Sequence, residues 1–136
     1  KMFENAQSTK HQGSISLNFA AAKLAVLGYI ISLPTIDCQD YDLVIGDHSG
    51  NRFRGVQVKS TNRKRYGNFC VNLMNGYRRY NRLGRIKNIK KKSFDSNHSD
   101  FLCVVTGDKD CYLIPRHIIK NKFSLNLTNN LKKYKI

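Results

Sequence analysis

The sequence predicts a mixed α/β fold, a β-sheet core flanked by helices and interrupted by one strongly basic insertion. Three observations carry this. Leu17, Ala20, Leu24 and Leu27 recur at spacings of 3, 4 and 3, one face of a helix. Short β-branched runs bounded by turn formers follow, as strands in hairpins do. Charge then gathers mid-chain. Residues 1–50 hold 3 basic and 5 acidic side chains, residues 51–100 hold 14 and 2, and residues 101–136 hold 7 and 2. A length of 136 residues suits one domain, read as a core over 13–119, a basic insertion over 74–99 and a tail over 120–136.

Residues 1–13 read as a polar arm. The helix is expected from Ser14, capped by Ser14 or Ser16 and stopped at Gly28. Residues 29–33 form a short strand ended by Pro34. Residues 42–45 form a second. The run Gly46-Asp47-His48-Ser49-Gly50-Asn51 is dense in turn formers and joins it to a third strand over 52–60. There Val56 and Val58 share one face, Gln57 and Lys59 the other. Residues 69–73 are a fourth strand. Residues 74–99 have little apolar periodicity and read as a long functional or disordered loop, although the spacing of Arg78, Arg79, Arg82 and Arg85 suits either a helix face or a ribbon entering a major groove. Residues 101–106 and 111–114 form a hairpin around Gly107-Asp108-Lys109-Asp110. Pro115 opens a short helix reaching Ile119. The tail has no clear period, although Phe123, Leu125 and Leu127 are candidates for an interface.

Several classes fall away. The most apolar stretch, residues 19–33, is broken by Lys23, Gly28 and Ser32 and is short of the ~20 residues a membrane span needs. Residues 1–13 lack the apolar stretch of a signal peptide, so a cytoplasmic location is expected. Cys38, Cys70, Cys103 and Cys111 form no C-x-x-C pair, which argues against a zinc site and for reduced thiols. His11, His48, His98 and His117 show no ligand spacing. A net charge of +15 calls for a polyanion.

The chemistry centres on Asp42, followed fifteen residues later by Gln57-Val58-Lys59. Neighbouring antiparallel strands lie about 4.8 Å apart, so Asp42, Gln57 and Lys59 converge on one small volume. Taken singly, Asp42 is an ordinary strand-end carboxylate and Lys59 a surface lysine on an edge strand. Together they suit phosphodiester hydrolysis. Carboxylate and amide oxygens suit Mg2+, and a lysine orients water or neutralises charge on phosphorus. The metal set is Asp42, Gln57 and Val58.

This arrangement resembles the PD-(D/E)XK, or restriction-endonuclease-like, superfamily. The ordered segments from Gly13 to Pro34, Tyr41-Asp42-Leu43-Val44-Ile45, Val56-Gln57-Val58-Lys59-Ser60-Thr61, Ser99-Asp100-Phe101 and Tyr112-Leu113-Ile114-Pro115 resemble its group I intron-encoded homing endonuclease branch. The resemblance implies a restriction-endonuclease-like fold, Mg2+ as cofactor, and Asp42, Gln57 and Lys59 as catalytic residues. It also implies DNA contacts in the block after Lys59. One departure is plain. The family's helix opens Gly-x-x-x-Glu; counted from Gly13, the Glu falls on Leu17, while Ala21, Ala22, Gly28 and Tyr29 match without gaps. Glu4 is the nearest earlier carboxylate.

Expected DNA contacts are Arg63, Lys64 and Arg65 to phosphates, Arg78, Arg79, Arg82 and Arg85 for reading base edges, and Tyr77 and Tyr80 to the backbone. Lys87, Lys90 and Lys91, with Lys92, complete the basic set. The leading function is a site-specific double-stranded DNA endonuclease, intron-encoded and oligomeric, since a double-strand cut needs two symmetric sites. A noncatalytic DNA-binding protein on the same fold and a basic RNA-binding protein are the alternatives.

Overall fold

The computed structural model describes residues 1–36, 40–80, 82–84, 86–92 and 99–136, with backbone alone over 75–80 and 86–92. Helix α1 spans Thr9–Val26. The strands are β1 (Ile30–Ser32), β2 (Leu43–Gly46), β3 (Phe53–Thr61), β4 (Lys64–Arg65), β5 (Asn68–Asn72), β6 (Asn75–Tyr80), β7 (Ile86–Lys92), β8 (Phe101–Thr106), β9 (Cys111–Pro115) and β10 (Ser124–Asn126). Helix α2 is Arg116–Ile119, and a 3-10 helix covers Asn129–Tyr134.

The central sheet has five strands in the order β1-β2-β3-β8-β9. It is mixed: β3 and β8 run parallel, the other pairs antiparallel. Strand β8 is apolar from Phe101 to Val105, as suits a strand with both faces covered. Cys103 and Val105 join a core with Ala20 and Leu24 of α1, Leu43, Ile45 and Val56. Leu102 and Val104 join the opposite core, built from Val71, Leu73, Ile114, Ile119, Leu125, Leu127 and Leu131. The second face is covered by a small sheet ordered β10-β5-β4, with α2 and the 3-10 helix. Cys70, Cys103 and Cys111 are buried and free, and the last two place their Sγ atoms 3.1 Å apart.

Four expectations need correction. The helix starts earlier, capped by Ser8, whose Oγ accepts from the His11 amide at 3.0 Å. Ser14 and Ser16 instead donate back to the carbonyls of Lys10 and Gln12, four residues earlier, the habit of serines inside a helix. The first turn was missed because Lys10 and His11 face solvent and supply no apolar period. The stop is as expected: Gly28 adopts φ +94°, its amide donates to Ala25 and that of Tyr29 to Leu24, a Schellman closure. Leu27, expected on the buried face, is the residue that caps the helix C-terminus and is 54% exposed.

Second, the polar arm holds Phe3, which is buried in the α1-side core. Third, residues 74–99 are no plain loop. β6 and β7 pair as an antiparallel ribbon, with Tyr77 opposite Lys90 and Gly76 opposite Lys91. Fourth, the tail is structural. β10 pairs with β5, placing Leu125 opposite Val71, and Leu125 and Leu127 are buried in this chain's own core. Of the three candidate interface residues only Phe123 stays exposed.

Candidate active site

Asp42 immediately precedes β2, and the β2–β3 register, Leu43 opposite Val56, carries it opposite Gln57. Cβ atoms at such opposed positions lie ~5 Å apart. The Asp42 amide donates to the Val56 carbonyl at 2.9 Å. In return the Val58 amide donates to Asp42 Oδ2 at 2.6 Å, a charge-assisted bond that fixes the carboxylate against β3. Two further contacts hold the frame. Ser99 Oγ donates to the Asp40 carbonyl at 2.7 Å, tying down the residues before Asp42. Asp100 Oδ2 accepts from the Gly55 amide at 3.0 Å, locking the start of β8 to β3. Sequence reasoning marks Ser99-Asp100-Phe101 only as a segment of the family resemblance; the positioning roles of Ser99 and Asp100 are not legible there, because their partners lie 59 and 45 residues away.

Alternation divides β3 between two environments. Val58, opposite Cys103, faces α1; Gln57 and Lys59, opposite Leu102 and Val104, face the other core. A cavity of about 480 Å3 opens on the α1 side, lined by Lys10, Leu17, Asp42 and Val58 among others. Asp42 thus sits at the strand edge, joined to that cavity and to Lys59. Burial lowers the Lys59 pKa from its usual 10.5, and the Asp42 charge partly opposes this. Gln57 Oε1 is buried with no hydrogen-bond partner. A bare amide oxygen of that kind costs free energy unless something else meets it.

In the basic block, alternation separates neighbours. Arg63 and Arg65 border a second cavity. Lys64 turns away, with Nζ 3.3 Å from Asp108 and 4.6 Å from the Phe69 ring centroid. The Arg65 guanidinium lies 5.4 Å from the Tyr66 ring centroid. Arg82 is exposed. The side chains of Tyr77, Arg78, Arg79, Tyr80, Lys87, Lys90, Lys91 and Lys92, and residues Arg85, Cys38 and His98, lie outside the described residues.

A family model of PD-(D/E)XK endonucleases matches residues 7–135. The chain belongs to the PD-(D/E)XK endonuclease family. Among solved structures it is similar to a bacterial homing endonuclease, I-Ssp6803I, at 26% identity and a TM-score of 0.75, covering 94% of this chain and 88% of that one. No curated protein matches. The mixed sheet with flanking helices is the restriction-endonuclease-like architecture expected from the sequence.

Leu17, the position expected from the count at Gly13 to hold the family's helix glutamate, lines the Asp42 cavity. Glu4 does not replace that glutamate: its side chain is 72% exposed. Among the described residues no three His, Cys, Asp or Glu side chains are grouped to hold a metal. A hard cation would therefore depend on the Asp42 carboxylate with the Gln57 amide oxygen and the backbone at Val58. Gln57 Oε1, buried and without a hydrogen-bond partner, is an amide oxygen whose chemistry fits that role, since Mg2+ needs few protein oxygens and keeps several waters.

Proposed function

We propose that this endonuclease is a Mg2+-dependent, site-specific enzyme of the homing type, cutting double-stranded DNA at Asp42, Gln57 and Lys59 and working as an oligomer. The observation that carries the reading is the juxtaposition of the Asp42 carboxylate, pinned by the Val58 amide at 2.6 Å, with Lys59. A bound Mg2+ supplies Lewis acidity to the phosphate and lowers the pKa of water. The chain's own residues do the rest. Asp42 and Gln57 present oxygens, Lys59 orients the attacking water and offsets charge building on the phosphorus, and the sheet holds all three without reorganisation. Arg63 and Arg65 hold phosphates flanking the cut, and the β6–β7 ribbon with Arg82 reads the major groove, which admits a two-stranded ribbon. The likeness to I-Ssp6803I, itself a homing endonuclease, supports the homing assignment.

Leu17 favours a second reading, a DNA-binding protein that keeps the fold without the chemistry. Nicking of supercoiled plasmid with Mg2+ separates the two. Wild type should nick, Asp42→Asn should not, and Leu17→Glu should nick faster. A wild type that binds duplex DNA without nicking it, beside an active Leu17→Glu, would establish the noncatalytic reading.

A further inference from the structure

The second cavity lies one step along β3 from the reacting groups. It encloses about 500 Å3 and is lined by Gln12, Ser60, Arg63, Arg65, Asn72 and Phe123 among others. That volume suits a small-molecule unit. Ser60 follows Val58 by two residues, roughly 7 Å along a strand, about the spacing of successive phosphates.

Its walls are fixed. Gln12 Nε2 donates to Ser60 Oγ at 2.8 Å, joining α1 to the end of β3. Buried Thr61 donates to the Cys70 carbonyl at 2.6 Å and accepts from the Arg63 amide at 3.2 Å, holding the turn that carries Arg63. Asn72 Oδ1 takes the Met74 amide at 2.9 Å, which leaves the Asn72 NH2 as a donor.

Phe123 is the odd member. Its carbonyl accepts from the Leu73 amide at 2.9 Å, so its backbone is anchored. Leu125 and Leu127, two and four residues on, are buried, yet Phe123 is 53% exposed among polar groups. An anchored aromatic beside two guanidiniums and an amide is the composition of a site that stacks a base and grips its phosphate.

We infer that this cavity is a nucleotide subsite of the cut strand, adjacent to the scissile phosphate. Arg63 and Arg65 hold its phosphate, and the nucleotide is drawn out of the duplex stack, so that Asn72 donates to the base edge and the Phe123 ring packs on the base. The inference rests on the nuclease reading above.

The test is photo-crosslinking of the full chain to a short mixed-sequence duplex carrying 5-iododeoxyuridine for thymidine, mapped by mass spectrometry. Anisotropy of the same duplex is measured at about 50 mM salt. The crosslink is expected on Phe123, and Phe123→Ala and Asn72→Ala should each weaken binding about tenfold. Phe123→Leu keeps apolar bulk but lacks the ring, and should weaken binding as the alanine variant does. Crosslinks confined to other aromatic residues, with Phe123→Leu and Asn72→Ala binding like wild type, would overturn the subsite. Asp42→Asn should abolish nicking and keep the Phe123 crosslink. A crosslink without wild-type nicking sinks the nuclease reading alone; nicking without the crosslink sinks the subsite alone; no duplex binding sinks both.

Discussion

Replacing Lys59 by Met should make the protein more stable and nearly inactive. Lys59 stands opposite Val104 on the face that builds a hydrophobic core, and burial lowers its pKa. Methionine keeps the length of the stem and removes the charge, while Asp42 retains the Val58 amide as its partner. Because Lys59 is partly solvated, the gain is expected to be modest, about 1 kcal/mol. For 136 residues at ~2.1 cal/mol/K each, the unfolding entropy is ~0.29 kcal/mol/K, so Tm should rise ~3–4 °C. Cleavage should fall by about 10²–10³. The pH dependence follows from the direction of the shift. Between the lowered native pKa and the ordinary 10.5 the unfolded chain holds a proton that the native state releases, so wild-type stability climbs with pH there. The stability gap between wild type and Lys59→Met should be full at neutral pH and close as pH approaches 10.5. Calorimetric melts across that range, paired with plasmid nicking, provide the assay. A Tm unchanged or lowered at neutral pH, or cleavage retained, would refute the assignment of Lys59 as a half-buried charge kept for chemistry.

Leu125→Ala should cost ~2–5 kcal/mol and give a melting shift independent of protein concentration; a shift that grows on dilution would return Leu125 to an interface. Duplex affinity should drop ~10³–10⁵-fold between about 50 and 200 mM salt, as expected for 6–10 phosphate contacts, and a flat titration would show that the positive charge does not face the DNA. Arg79→Ala and Arg82→Ala should weaken binding to the target by ~1–3 kcal/mol and spare scrambled duplex, whereas a triple Lys90/Lys91/Lys92→Ala variant should weaken both alike. Equal losses from the arginine variants would make the ribbon a phosphate clamp.

The hairpin that carries Asp42, Gln57 and Lys59 was legible because two short-range rules agree there. Turn formers after Ile45 mark the reversal, and period-two alternation in β3 separates Val56 and Val58 from Gln57 and Lys59. The β6–β7 ribbon was legible only as one of two shapes, helix face or ribbon, because its residues are nearly all polar or charged and supply no period-two apolar signal to decide between them. The C-terminal segment failed for the opposite reason. Its apolar residues are real core, but the strand that buries them, β5, lies about fifty residues earlier in the chain. Apolar side chains scattered among lysines and asparagines look alike whether the missing partner is the same molecule or another copy. The cavity around Phe123 was equally hidden, since Gln12, Ser60, Asn72 and Phe123 meet only after α1, β3, β5 and β10 assemble.

The parallel pairing of β3 with β8 has an evolutionary consequence. Everything between the two strands is an excursion closed at both ends: Gly55 is bonded to Asp100, and the Gly107 amide donates to the Thr61 carbonyl at 3.0 Å. The entropy of closing such a loop grows only as the logarithm of its length, about 0.6 kcal/mol per doubling. Within that excursion β5 is fixed, because Val71 and Leu73 are buried in the core and β10 pairs with it, but the β6–β7 stretch can be lengthened, shortened or rewritten at little thermodynamic cost, while Asp42 and Lys59 stay in place outside it. A drifting target sequence can therefore be followed by changes in one segment, with the cutting chemistry left untouched.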